Sequence, residues 1–316
     1  MNKVKLTLSI AFLSLSTIIF AQTMNDAGEA FNAGIAALKA KDYAKAIEEY
    51  NNCISLCDQI GDEGAEMKMQ AESQLPSAYY NLAGTLYRGR KFDEAINTYA
   101  KAAEHASSLN KADLAKKAKG NMAKVYYSKG TGQYKAKDYD NALASFDKGI
   151  EADGSYFKNY YGKGLAYNKQ DNAEAFKASM DKAIELGPAN DKTVKAAKTV
   201  VFRSFRTAAG KALQAGNFKS SIENIDIALA YGEDAQAYYF ATIAHNGLKN
   251  WNKAVESGNK AVELEKKSKS NIYFELGKAH EGAANNAEAC KAYKNVIDGP
   301  NKAAADHKVK NELKCN

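Results

Sequence analysis

Proline occurs only 3 times in the 316-residue sequence, and tryptophan once. Proline removes a backbone donor and breaks helix interiors, so its scarcity leaves long stretches open to helix. Histidine occurs 4 times, at His105, His245, His280 and His307, with no pair at the spacing of a metal-binding HExxH helix. Cys53 and Cys57 lack the tight spacing of a zinc knuckle. The run KGTGQYKAK around Gly130 has no Gly-Lys-Ser/Thr and follows no strand, so it is not a phosphate loop. Neither sign of charge dominates: 44 basic against 37 acidic residues, a net +7. Spread over a long surface, that mild excess implies no nucleic acid. Acidic pairs such as Glu48 and Glu49 fall on solvated helix faces. No nucleophile, base and stabiliser can be assembled from these residues, so the sequence predicts neither an enzyme nor a metal or cofactor.

The one long apolar run lies at the start. Lys3 and Lys5 precede a stretch from Leu6 to Phe20 broken only by Thr7, Ser9, Ser14, Ser16 and Thr17, and Ala21 follows. A basic head, an apolar middle and a small residue form the pattern of a secretory signal. Residues 1–21 are therefore expected to be removed, leaving a chain that begins at Gln22. The run is short for a membrane span, which needs about 20 residues, and no cysteine stands near the cleavage point to carry a lipid. The expectation is an exported chain, periplasmic or secreted, without a lipid anchor or an integral membrane segment after cleavage. Thiols tend to pair in an oxidising compartment. Cys290 and Cys315, on separate predicted helices, are expected to bridge. Cys53 and Cys57, four residues apart on one helix, suit a disulfide poorly and read as small buried residues, their pairing left open.

What fills the rest is repetition. AYYNLA at Ala78 leads to KFDEAINTYAKAAEHA; VYYSKG at Val125 leads to KDYDNALASFDKGIEAD. NYYGKGLAY at Asn159, AYYFATIAH at Ala237 and IYFELGKAH at Ile272 are each followed by a comparable second segment. Each pair reads as helix A, a tight turn and helix B. These segments resemble the tetratricopeptide repeat. Its pattern places a large residue at position 4, small ones at 8, 20 and 27, and aromatics at 17 and 24. Position 17 falls on Tyr43, Phe92, Tyr139, Ala173, Phe218, Trp251 and Asn286, spaced 49, 47, 34, 45, 33 and 35 residues apart. Position 20 falls on Ala46, Ala95, Ala142, Phe176, Ser221, Ala254 and Ala289. Position 4 is Tyr79, Tyr126, Tyr160, Phe205, Tyr238 and Tyr273, with Ala30 in the first repeat. Small residues, with Gly34, Gly130, Gly164 and Gly277 at position 8, would let helices cross closely while aromatics fill the space left.

The resemblance implies an all-α, right-handed superhelical solenoid of about seven repeats over residues 22–300, closed by a capping helix at 301–316. Spacings above the usual period of about 34 are expected as lengthened helices. Pro76, Pro188 and Pro300 are expected at repeat boundaries. In repeats four and seven, Ala173, Phe176 and Asn286 depart from the pattern, so irregular packing is expected there. In the cap, Ala303, Ala304, His307 or Val309, and Leu313 are expected to share the apolar face.

Solenoids offer concave surfaces to other proteins. In the family, helix A lines that surface through positions 2, 5, 6, 9, 12 and 13. Position 5 here reads Phe31, Tyr80, Tyr127, Tyr161, Arg206, Tyr239 and Phe274. Position 13 gives Lys39, Arg88, Lys135 and Lys169, and position 2 gives Lys124, Lys158 and Arg203. Asn81 stands at position 6 and, with Lys124, matches part of the family's carboxylate clamp; Phe31, Ile35 and Ser128 depart from it, and the clamp is incomplete. His245 and His280 at position 11 read as packing residues. The resemblance thus implies a non-enzymatic scaffold or adaptor whose aromatic and basic groove takes peptides or protein segments, acidic ones among them, in the cell envelope. Two alternatives stand beside it: the position-5 rings only pack between repeats, or the tyrosine ladder binds a glycan or other small ligand.

Overall fold

A computed structural model describes residues 24–315; the predicted signal segment lies outside the described residues. Among the described residues there is no strand. The chain divides into two compact units, Met1–Leu186 and Gly187–Asn316.

Unit 1 holds α1 (residues 24–39), α2 (Tyr43–Ile60), α3 (Ala65–Arg88), α4 (Phe92–Ser108), α5 (Ala112–Lys135), α6 (Tyr139–Ala152), α7 (Lys158–Lys169) and α8 (Ala173–Leu186). Unit 2 holds α9 (Lys192–Gln214), α10 (Phe218–Leu229), α11 (Ala235–Gly247), α12 (Trp251–Leu264), α13 (Ser270–Gly282), α14 (Asn286–Lys294), α15 (Lys302–His307) and a π-helical turn, Lys308–Glu312. Within each unit every repeat helix packs on the next. Successive A helices also touch: α3 with α5 with α7, and α9 with α11 with α13. That is the packing order of a solenoid.

The turn between helices A and B is built alike in all repeats. One residue at position 15 is left-handed: Lys41, Arg90, Lys137, Asp171, Gly216, Lys249 and Ala284, with φ between 56 and 71°. The next residue's N–H returns to a carbonyl five residues back, as in Asp42 to Ala37 at 2.9 Å and Asn250 to His245 at 2.8 Å. This closes helix A in the Schellman manner. In four repeats that same residue caps helix B through its side chain: Asp42, Asp138, Asn172 and Asn217 accept from backbone N–H groups three residues on.

Position 8 explains the close crossing. A Cβ on Gly34, Gly130, Gly164 or Gly277 would press on Tyr50, Phe146, Met180 or Tyr293, the position-24 side chain of the same repeat. Those four side chains are essentially inaccessible to solvent.

The long spacings are absorbed as helix. α3 and α5 each run 24 residues and α9 runs 23, against 12 for α7 and 13 for α11 and α13. Pro76 stands at position 1 of the second repeat, the expected boundary, but the helix does not end there: the proline lies inside α3, buried. A proline there removes one intrahelical bond and disturbs the turn before it. The carbonyl of Ser73, in that turn, accepts from Lys111 Nζ at 2.6 Å. Pro188 and Pro300 do fall between helices.

The C-terminal segment is not a single helix. The six residues of α15 run into the π-helical turn, where Leu313 N–H reaches Lys308 O. Ala305, Val309 and Leu313 cover Ala289, Tyr293 and Val296, whereas Ala303, Ala304 and His307 are exposed. Ala305, Val309 and Leu313 stand four residues apart on one face, and the misassigned Ala303, Ala304 and His307 all lie in α15, ahead of the π-helical turn. A disulfide joins Cys290 on α14 to Cys315, Cα to Cα 5.7 Å. Cys53 and Cys57 are buried free thiols, Sγ to Sγ 4.0 Å; burial, then the neighbouring thiol, pushes Cys53 up to about 12.

Candidate functional site

Position 5 is where the structure says most about the aromatic ladder. Its rings meet the position-24 rings of their own repeats: Phe31 with Tyr50 at 5.9 Å, Tyr80 with Tyr99 at 5.6 Å, Tyr127 with Phe146 at 6.1 Å and Phe274 with Tyr293 at 5.8 Å. Each is half-buried. Burial holds the phenols of Tyr127, Tyr161 and Tyr239 above the usual tyrosine range. The ladder is therefore part of the packing wherever else it serves.

The structure brings three of the sequence-derived residues together. Arg88 at the end of α3 lines one cleft of about 470 Å³ with Tyr127 and Lys135 of α5. Arg90, Tyr87, Phe92, Ser128 and Thr131 complete most of its wall. Tyr87 and Ser128 share a hydrogen bond of 2.7 Å across the two A helices. Arg88 donates to Thr85 Oγ1 at 3.0 Å. Among the described residues, none of Arg88, Arg90 and Lys135 forms an ion pair. Nearby lysines do: Lys91 pairs with Glu94, and Lys129 with Asp93. The cleft lining holds no carboxylate.

The remaining residues are placed otherwise. Tyr80 accepts from Asn121 Nδ2 at 2.7 Å, a bond between repeats two and three, and Lys124 donates to the same Asn121 through Oδ1 at 3.0 Å within α5. The backbone carbonyl of Asn81 accepts from Thr85. Lys158 sits over the Phe157 ring at 5.9 Å, beside half-buried Tyr161, and Lys169 is exposed at the end of α7. Arg203, Arg206 and Tyr239 belong to unit 2. There Arg203 is exposed, and Tyr239 packs beside Phe240 at 6.2 Å. Arg206 pairs with Asp234, the residue that caps α11, and lies over Phe202 at 5.3 Å. Its charge is already matched within the protein.

Family models described as tetratricopeptide repeat match residues 76–108 and 127–191. With the repeated helix pairs and turns, they decide the family. The chain is a tetratricopeptide-repeat protein. No curated protein matches the sequence. Among solved structures, this tetratricopeptide-repeat chain is similar to YrrB, described as having an unusual peptide-binding site, at 19% identity and a TM-score of 0.36, over 59% of this chain and 91% of that one. It is similar to a tetratricopeptide-repeat protein of Parabacteroides merdae at 16% identity and 0.30, over 92% and 100%. It is also similar to the TPR2AB domain of yeast Sti1 in complex with pHSP90 at 17% identity and 0.34, over 90% and 92%.

Sequence reasoning missed Tyr87 and Arg90, at positions 12 and 15. The signal was there for Tyr87, since position 12 is one of the inward positions. For Arg90 it was not, because the family pattern assigns position 15 to the turn. No helix among the described residues is long and apolar enough to cross a membrane, and no group of described side chains could hold a metal ion.

Proposed function

We propose that this protein is a non-enzymatic interaction scaffold whose unit 1 cleft holds an acidic protein segment. The observation that carries the reading is the set of three cations without ion-pair partners, Arg88, Arg90 and Lys135, around one cleft with half-buried Tyr87 and Tyr127. Unpaired guanidinium and ammonium groups supply charge-assisted hydrogen bonds to carboxylates. Half-buried tyrosine rings supply contact area at low entropic cost. The cleft spans two successive A helices, which is how a repeat protein makes a surface no single repeat contains. The protein is proposed to act after export, in the periplasm or outside the cell, because Lys3, Lys5 and the apolar run that follows form a secretory signal pattern.

The test is binding of a short Glu- and Asp-rich peptide to the full chain, with Arg88→Ala and Lys135→Ala combined. The double variant should bind at least tenfold more weakly and lose much of its salt dependence. Binding of unchanged affinity and unchanged salt dependence would refute the cleft. Arg206→Ala serves as the contrast: it should leave peptide affinity unaltered, since Arg206 is held by Asp234.

A further inference from the structure

The two units differ at one register position. Position 13 is Lys39, Arg88, Lys135 and Lys169 in unit 1, whereas in unit 2 it is Gln214 on α9 and then Gly247 and Gly282 on α11 and α13. A side chain on either glycine has no room. A Cβ on Gly247 would stand 2.5 Å from the Phe218 ring, and one on Gly282 would stand 2.5 Å from Trp251. The position-17 rings of repeats five and six thus lean against bare backbone of the next repeat. Both rings line a cleft of about 730 Å³ with Ile243 and Phe274.

The charges around this cleft are already matched. Lys278 pairs with Glu275 at 3.0 Å, and Lys308 pairs with Glu281 at 2.8 Å and with Glu312 at 2.5 Å. Glu281 also accepts from the Tyr293 hydroxyl at 2.9 Å. A charged ligand would have to break one of these pairs and leave its partner uncompensated. An uncharged apolar group would only displace water from the rings. Lys308 comes from the C-terminal segment that the Cys290–Cys315 disulfide ties to α14, so one wall of the cleft is built from outside the repeats.

We propose that unit 2 carries a binding cleft of its own, which takes an uncharged segment of another protein through its aromatic or long aliphatic side chains. The paired charges set the selectivity, and the Phe218, Trp251 and Phe274 rings supply the contact area. Nothing in this proposal requires the acidic-segment reading of unit 1.

Trp251 is the sequence's one tryptophan, so emission excited where tyrosine does not absorb reports on this one ring, which lines the cleft and also faces a smaller neighbouring one with Lys249 and Lys253; the Gly247→Lys variant separates the two. The full chain is titrated with an uncharged peptide carrying two phenylalanines and a leucine, with a glutamate-rich peptide of equal length, and with a linear glucose oligomer. The uncharged peptide should shift Trp251 emission saturably, independent of salt, and shield the ring from acrylamide quenching. Gly247→Lys, which restores the basic residue of the earlier repeats, should weaken that peptide at least tenfold while circular dichroism stays helical. If this variant does not fold, the quenching result with the unaltered chain still decides. The proposal is overturned if the uncharged peptide leaves both emission and quenching unchanged. It is equally overturned if the glutamate-rich peptide or the sugar shifts emission and the uncharged peptide does not. Binding of the acidic peptide at unit 1 is followed separately, through Arg88→Ala and Lys135→Ala, so failure of either cleft is distinguishable from failure of the other.

Discussion

Two glycines on one helix give a direct test of the repeat packing. Gly130 and Gly132 both lie in α5, and alanine is the better helix former at either by about 1 kcal/mol. Their surroundings are opposite. A Cβ on Gly130 would meet Phe146 Cε1 at 2.7 Å, and that ring, which projects from α6 against Gly130 of α5 and Gly162 of α7, is 1% exposed. Nothing lies within 4 Å of a Cβ on Gly132. Overpacking a filled core costs about 1–3 kcal/mol. Gly130→Ala should therefore lose stability by about 0–2 kcal/mol after the propensity gain, and Gly132→Ala should gain about 1 kcal/mol. The assay is thermal unfolding of both variants beside the unaltered chain, where 1 kcal/mol moves Tm by about 2–4 °C in a domain of this size. If both variants shift upward alike, the ring at position 24 does not hold helices A and B at the distance described, and position 8 is not a packing constraint.

Replacing Cys315 by Ser opens a loop with a sequence separation of 25 and should cost about 3 kcal/mol in the chain-entropy model, read as a lower unfolding temperature that added reductant no longer changes. Burial holds the imidazoles of His245 and His280 below their usual value, with Lys253 adding to the effect at His245. Both are neutral in the fold, so the unfolded chain binds more protons as pH falls. Their contribution is whole above about pH 6.5 and is lost as pH falls from there toward their folded values. Tm should decline over that window, and His245→Gln with His280→Gln should flatten the decline; an unaltered slope would refute the assignment.

How much of this was legible in the sequence depends on the range over which each residue acts. The repeat is a local code. Gly130 at position 8 and Phe146 at position 24 recur at fixed spacing because one helix pair must close on itself, and the turn between them takes a left-handed residue at each repeat. Spacing alone recovers such constraints. Pro76 was misread for the converse reason. Local propensity ends a helix at or before a proline, but helix α3 continues through Pro76 and buries it, a tertiary environment that no local pattern reveals. In the cap Val309 and Leu313 were legible, but Ala305 could not be told from Ala303 and Ala304, because three successive alanines carry no periodicity and the contact with α14 selects among them.

The site divides along the same line. Position numbers identified Arg88, Tyr127 and Lys135 as residues that a groove would present, and these three do line one cleft. Position numbers could not distinguish them from Arg206, which carries the same kind of charge at an inward position but is matched by Asp234 across the α9–α11 contact. What separates a cation that can receive a ligand from one that braces the fold is whether a carboxylate already stands beside it. That fact depends on the pairing of two helices, not on either one alone. The same distinction separates the clefts of the two units. In unit 1 the cations facing the cleft are unpaired, whereas in unit 2 Lys278 and Lys308 are matched and glycine at position 13 gives the surface to Phe218 and Trp251. A repeat pattern thus fixes where side chains point, and the pairing between neighbouring repeats fixes what they remain free to bind.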